Sequence, residues 1–116
     1  MSKWKYFSDE ESEGLDYGLM VMIDKAREIC GFPFVITSGK RTSAQNMSSG
    51  GVPDSSHITG LAVDLRLPTG QDQKEKMMWA LGRAGFRRVL TYSRHVHVDV
   101  DQSKKQDIFL FMGESH

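Results

Sequence analysis

The chain has a single cysteine, Cys30, among 116 residues. That excludes an internal disulfide and a zinc cluster built on thiolates, both of which need more than one thiol. Cys30 sits in an apolar helical pattern just before Gly31, which suits a buried small hydrophobe and not a catalytic nucleophile. Net charge is missing too, because 15 Lys and Arg balance 15 Asp and Glu. A partner gripped through its phosphates favours a basic surface, so nucleic acid is not an expected partner, and the same balance speaks against an anionic membrane surface. No apolar run approaches the ~20 residues that span a bilayer, so no membrane insertion is expected. The opening Met1-Ser2-Lys3-Trp4-Lys5-Tyr6 lacks the apolar stretch of a secretory signal, so synthesis and folding in the cytoplasm are expected. There is no internal repeat and no clear linker, and the length suits one domain over residues 1–116, with a core feasible without covalent staples.

What is present begins with Ser8-Asp9-Glu10-Glu11, a capping-box pattern with Ser8 as N-cap and Glu11 reaching back. After it Leu15, Leu19, Met22, Ile23, Ala26, Ile29 and Cys30 recur at helical spacing, until Gly31 and Pro33 stop the helix. Phe34 to Ser38 is a short β-rich run. Residues 39–56 are long and polar, with room for a helical turn near Ser43 to Met47, and a loop of that length in a small domain is usually functional or mobile. Leu61 to Leu67 alternates, with Leu61, Val63, Leu65 and Leu67 on one face and Ala62, Asp64 and Arg66 on the other. A second helix is expected over residues 71–84, its apolar side formed by Met77, Met78, Leu81 and Ala84 and its stop by Gly85. Strands are expected over residues 88–92, 95–100 and 108–112. In the second of these, His95, His97 and Asp99 share one face and Val96, Val98 and Val100 the other. The fold class is therefore α+β, with helices packed on a small, mainly antiparallel sheet.

His57, His95 and His97 lie near the two alternating strands, and Asp64 lies on the polar face of the first. If those strands are neighbours, the groups converge on one spot. Two imidazoles and a carboxylate with a further position left to water suit a catalytic zinc, whereas structural zinc is usually closed by four protein ligands. Asp64 sits in an otherwise apolar strand, and a carboxylate there needs a cation or a set of donors. A metal would serve; so would Arg66 or Arg41, and histidines also gather in small chains with no metal at all.

Ser55 to Asp64 fits S-x-H-x-x-G-x-A-x-D, His95-Val96-His97 supplies a later H-x-H, and Ile36 to Arg41 fits I-T-S-G-x-R. Together these resemble the zinc D-Ala-D-Ala carboxypeptidase family. That family includes bacteriophage L-alanyl-D-glutamate endopeptidases, and its fold is shared by the zinc-bearing signalling domain of Hedgehog. The resemblance runs from Phe34 to Val100. It implies one Zn2+ per chain held by His57, Asp64 and His97, with His95 beside it as a hydrogen-bonding or proton-shuttling group. Arg41 would pair with a substrate carboxylate or the developing oxyanion, Ser55 would bind the substrate backbone, and Gly60 would either permit a tight approach or serve as a plain turn glycine. The implied reaction is hydrolysis of a peptide bond in peptidoglycan by a zinc-activated water. The implied setting is a monomer acting at the bacterial cell wall or in a phage context.

The sequence departs from the family in one respect. The carboxypeptidases place Asp or Glu three residues before the last zinc histidine, where this chain has Arg94, and Hedgehog proteins carry Glu six residues before it, where this chain has Thr91. His95, whose ordinary pKa suits base work near neutrality, and Asp54 are the remaining candidates for the base, and Asp99 fits a role orienting an imidazole. An inactive zinc-binding module with a binding or virion-structural role is the alternative to an enzyme, and a metal-free fold is a third. Arg83, Arg87, Arg88 and Arg94 read as a sparse, solvated basic group; Met77 and Met78 with Trp79 read as packing.

Overall fold

The first helix starts later than the capping box suggests. In the computed structural model, which describes residues 3–40 and 55–112, both arms of the box form. The Ser8 amide donates to Glu11 Oε1 at 2.9 Å and the Glu11 amide donates to Ser8 Oγ at 3.1 Å. Turns follow it, and helix α1 spans Tyr17–Cys30 with Asp16 as N-cap, its carboxylate accepting from the Leu19 amide. The delay has a packing cause. The Asp16 amide donates to the Gly60 carbonyl at 2.8 Å, so the chain is first tied to a distant loop and only then free to coil. Gly31, at φ 87°, closes the helix with its amide on the Arg27 carbonyl.

Helix α2 spans Gln71–Arg83 and buries Met77, Ala80 and Leu81. Trp79 stays half exposed, with the Arg83 guanidinium 5.8 Å from its ring centre. The strands are β1 (Ile36–Ser38), β2 (Ala62–Arg66), β3 (Arg88–Thr91), β4 (His95–Asp99) and β5 (Ile108–Phe111), in the sheet order β1-β2-β4-β3-β5. The pairs β1/β2, β2/β4 and β3/β4 are antiparallel, and β5 joins β3 in parallel. The expected α+β architecture is thus observed, with one parallel edge. Tyr92 donates its amide to the His95 carbonyl at 2.8 Å, closing a hairpin whose turn is Ser93-Arg94.

Alternation along the strands separates two chemistries. Val63 and Leu65 of β2, Val89 of β3, and Val96 and Val98 of β4 are buried with Leu19, Met20 and Ile23 of α1 and Met77 and Leu81 of α2. Burying each such side chain contributes about 1.5–3 kcal/mol. The intervening residues, Asp64, His95, His97 and Asp99, face the other side of the sheet. Among the described residues, no helix is long and apolar enough to cross a membrane.

Candidate metal centre

The register of the central strands decides where the polar groups meet. Asp64 pairs with His97 and Arg66 with His95 across β2 and β4, so residues distant in sequence share one patch of the sheet. His57 enters from the loop before β2. That loop is built by short-range bonds: Ser55 Oγ accepts the His57 amide at 3.2 Å, the Ile58 amide donates to Ser55 carbonyl at 3.1 Å, and the Leu61 amide donates to Ser56 carbonyl at 3.0 Å. The side chain of His57 is swung inward, leaving the residue 3% exposed.

Gly60 ends this loop at φ 78°, and a Cβ placed on it would lie 2.3 Å from the Gly14 carbonyl oxygen. Its glycine requirement comes from backbone packing against the segment before α1, not from approach to a ligand.

The proton positions of the two imidazoles follow from their partners. His57 Nδ1 lies 2.9 Å from the Gly39 carbonyl. A carbonyl only accepts, so Nδ1 carries a hydrogen and Nε2 is the nitrogen turned toward Asp64 Oδ1, 3.2 Å away, where the neutral ring has its lone pair. His97 Nε2 lies 2.8 Å from Asp99 Oδ2, and its Nδ1 lies 3.1 Å from Asp64 Oδ1. With the Nε2 hydrogen on Asp99, the neutral His97 ring likewise has its lone pair at Nδ1, toward Asp64. The ligand atoms of His57, Asp64 and His97 all lie within 4.8 Å of one another. Three acceptors facing one point need a cation or extra protons between them. Two imidazole nitrogens and one carboxylate oxygen form a donor set that zinc accepts.

The electrostatics agree. Burial raises the Asp64 carboxyl, but hydrogen bonds with His57 and His97 outweigh it and hold the group well below the usual carboxylate range. Burial lowers the His97 imidazole, yet its bonds to Asp64 and Asp99 prevail and its pKa is raised. A site that draws a proton onto His97 is one in which a metal can stand in place of that proton.

His95 Nε2 stands 3.8 Å from Asp64 Oδ2, and its ring stacks on Tyr92 with centroids 4.6 Å apart and an angle of 16°. Asp64 therefore meets imidazoles, and not Arg66, whose residue is exposed. Arg41 and Asp54 lie outside the described residues, as does the turn expected near Ser43 to Met47. Thr91, at one of the two vacant carboxylate positions, donates to Met78 Sδ on the helix face at 3.4 Å, and Arg94 sits in the hairpin turn.

Three participants escape a reading of the sequence. Tyr92 supports His95 because the tight hairpin pairs them. Asp101, buried, accepts from Ser56 Oγ at 2.8 Å and so fastens the His57 loop to the end of β4. Arg88, expected at the solvated surface, instead donates through Nε to Asp99 Oδ2 at 2.9 Å. It is adjacent in sequence to Arg87, which does remain exposed, paired with Asp107. Strand alternation at 87–88, with a hairpin centred on Ser93-Arg94, is the signal that would separate the two.

Comparison with known proteins gives a family and a fold. The family described as Peptidase M15 matches residues 4–101. No curated protein is a match. Among solved structures the fold is similar to that of Serratia marcescens L-Ala D-Glu endopeptidase ChiX. The TM-score is 0.63 at 22% identity, over 87% of this chain and 90% of that one.

Proposed function

The chain belongs to the Peptidase M15 family and is therefore a peptidase; on that premise we propose that it cuts a peptide bond of bacterial peptidoglycan, with one zinc ion held by His57, Asp64 and His97. The observation that carries this proposal is the convergence of His57 Nε2, Asp64 Oδ1 and His97 Nδ1 on one buried point. Zinc bound there would supply Lewis-acid polarisation of the scissile carbonyl and a bound water of lowered pKa.

The chain's own groups do the rest. Gly39 and Asp99 fix the tautomers of the two imidazoles, so that neither must rearrange before binding. His95, held flat by Tyr92 beside Asp64, is placed to take a proton from the attacking water and return it to the leaving amine. Arg41 would neutralise the substrate carboxylate or the oxyanion, as the resemblance implies. Ser55 already accepts the His57 amide, and its hydroxyl hydrogen is the part that could meet a substrate carbonyl. D-Ala-D-Ala carboxypeptidase and L-Ala-D-Glu endopeptidase cleavage are the two forms of the proposal, and the activity named for the Serratia enzyme supports the second. All three proposed ligands come from one chain, so a monomer suffices. The cell wall or a phage setting is the matching place of action.

A catalytically inactive zinc-binding module is favoured by one observation. Among the described residues, the carboxylates touching the cluster are Asp64 and Asp99, and both already bond imidazoles. Mass spectrometry of purified peptidoglycan after incubation with the protein separates the two. New fragments that vanish with a chelator establish the peptidase, and zinc bound without any turnover establishes the inactive module.

A further inference from the structure

Behind His97 lies a second layer of charge that the proposed ligand set does not use. Asp99 is wholly buried, and an ionised carboxylate there needs donors. It has three. Oδ2 receives the His97 Nε2 hydrogen at 2.8 Å and the Arg88 Nε hydrogen at 2.9 Å, and Oδ1 receives the Asp101 amide at 3.2 Å. On β2 the residue facing Asp99 is Ala62, which offers no polar side chain, so these contacts come from β3, β4 and the turn after it. Arg88 is itself fixed, since Nη1 donates to the Lys105 carbonyl at 3.0 Å.

We propose that Arg88 is a positioning residue of the metal centre, acting through Asp99 to hold His97 as its Nε2–H tautomer with Nδ1 aimed at the ion. The proposal rests on the zinc ligand set given above. Its physical basis is orientation. A carboxylate with a single neutral donor can rotate about its own bond, and the imidazole it holds can tilt with it. The Arg88 guanidinium occupies a second lone pair of the same Oδ2 atom, and the Asp101 amide takes the other oxygen. The plane of the carboxylate is then set from three directions, and His97 inherits that setting. Arg88 also supplies the positive charge that a buried Asp99 would otherwise lack. The same turn residue, Asp101, holds Ser56, so the network runs from Arg88 through His97's support to the loop that carries His57.

The test uses the full chain and the metal alone. Zinc affinity is measured by competition with a chromogenic chelator, and the visible spectrum is recorded after loading with Co2+, for the wild type, Arg88→Met, Arg88→Lys and Asp99→Asn. Removing a partner of this kind typically weakens metal binding about 10–100-fold. Expected are a loss of that order and an altered Co2+ spectrum for Arg88→Met and Asp99→Asn, with metal-free proteins still folded by circular dichroism, and partial recovery in Arg88→Lys. A folded Arg88→Met variant with unchanged affinity and spectrum overturns the proposal while leaving the ligand set intact. A wild type that binds no zinc overturns the ligand set itself. If Arg88→Met does not fold, 15N–1H correlation of the imidazoles in the zinc-loaded wild type decides: a His97 hydrogen on Nε2 supports the proposal, and one on Nδ1 ends it.

Discussion

At the scale of single residues, the site separates groups that would grip an ion from groups that would move protons. His57 is buried and contributes an inward-facing Nε2, whereas His95 is stacked at the edge of the cluster. His57→Ala should therefore abolish zinc binding in a metal assay and hydrolysis with it. His95→Ala should retain about one zinc per chain yet lower kcat by about 10²–10⁴-fold, the usual contribution of a positioned acid or base. Full activity in His95→Ala would assign proton transfer elsewhere. Asp101 acts on stability. Hydrogen bonding from Ser103 lowers its carboxyl below the usual range; burial opposes this, and the Ser56 hydroxyl adds to the lowering. A depressed folded pKa gives stability that is present above the unfolded value of about 3.9 and lost as pH falls through the lower folded value. Urea unfolding of wild type and Asp101→Asn should show a gap at pH 7 that narrows below about pH 4. A gap that stays constant with pH would remove Asp101 from this role.

At the scale of elements, the loop bearing His57 depends on backbone fit. Gly60 stands at positive φ with no room for a Cβ against the Gly14 carbonyl, and the Asp16 amide bonds the Gly60 carbonyl just before α1 begins. Gly60→Ala should cost about 1–3 kcal/mol in left-handed strain, and more if the clash with backbone is relieved by moving the loop. Since His57 rides on that loop, zinc affinity should fall along with the melting temperature. A variant as stable as wild type, with undiminished zinc binding, would show that the two segments separate freely. The α1 N-terminus illustrates how such fits override local preference. A complete capping box at Ser8 and Glu11 is present, yet the helix waits for Asp16, because tertiary anchoring outweighs the roughly 1 kcal/mol of a cap.

At the scale of the whole molecule, the core and the cluster lie on opposite faces of one sheet, so metal binding should stabilise the fold without reshaping the core. Any ligand that binds only the folded chain stabilises it by mass action, by ~2.7 kcal/mol at a free concentration 100 times its Kd. Thermal unfolding should shift upward with added zinc and return to the starting value with a chelator. A melting temperature indifferent to zinc across that range would contradict the ligand set.

Much of this was legible from residue order alone. Period-two alternation in Ala62 to Arg66 and His95 to Asp99 announced which side chains would share a face, and the spacing of His57 and Asp64 announced a loop followed by a strand. Those patterns are local, because a strand's faces and a helix's apolar side are fixed by chain geometry within a few residues. Only the tertiary structure decided that β2 lies beside β4 in the register that sets Asp64 against His97. It also decided that Arg88 meets Asp99, and that Gly60 answers to Gly14. Each of these depends on which distant segments meet. That choice is made by the burial of both helices against one face of the sheet, a sum over the whole core that no short stretch of sequence contains.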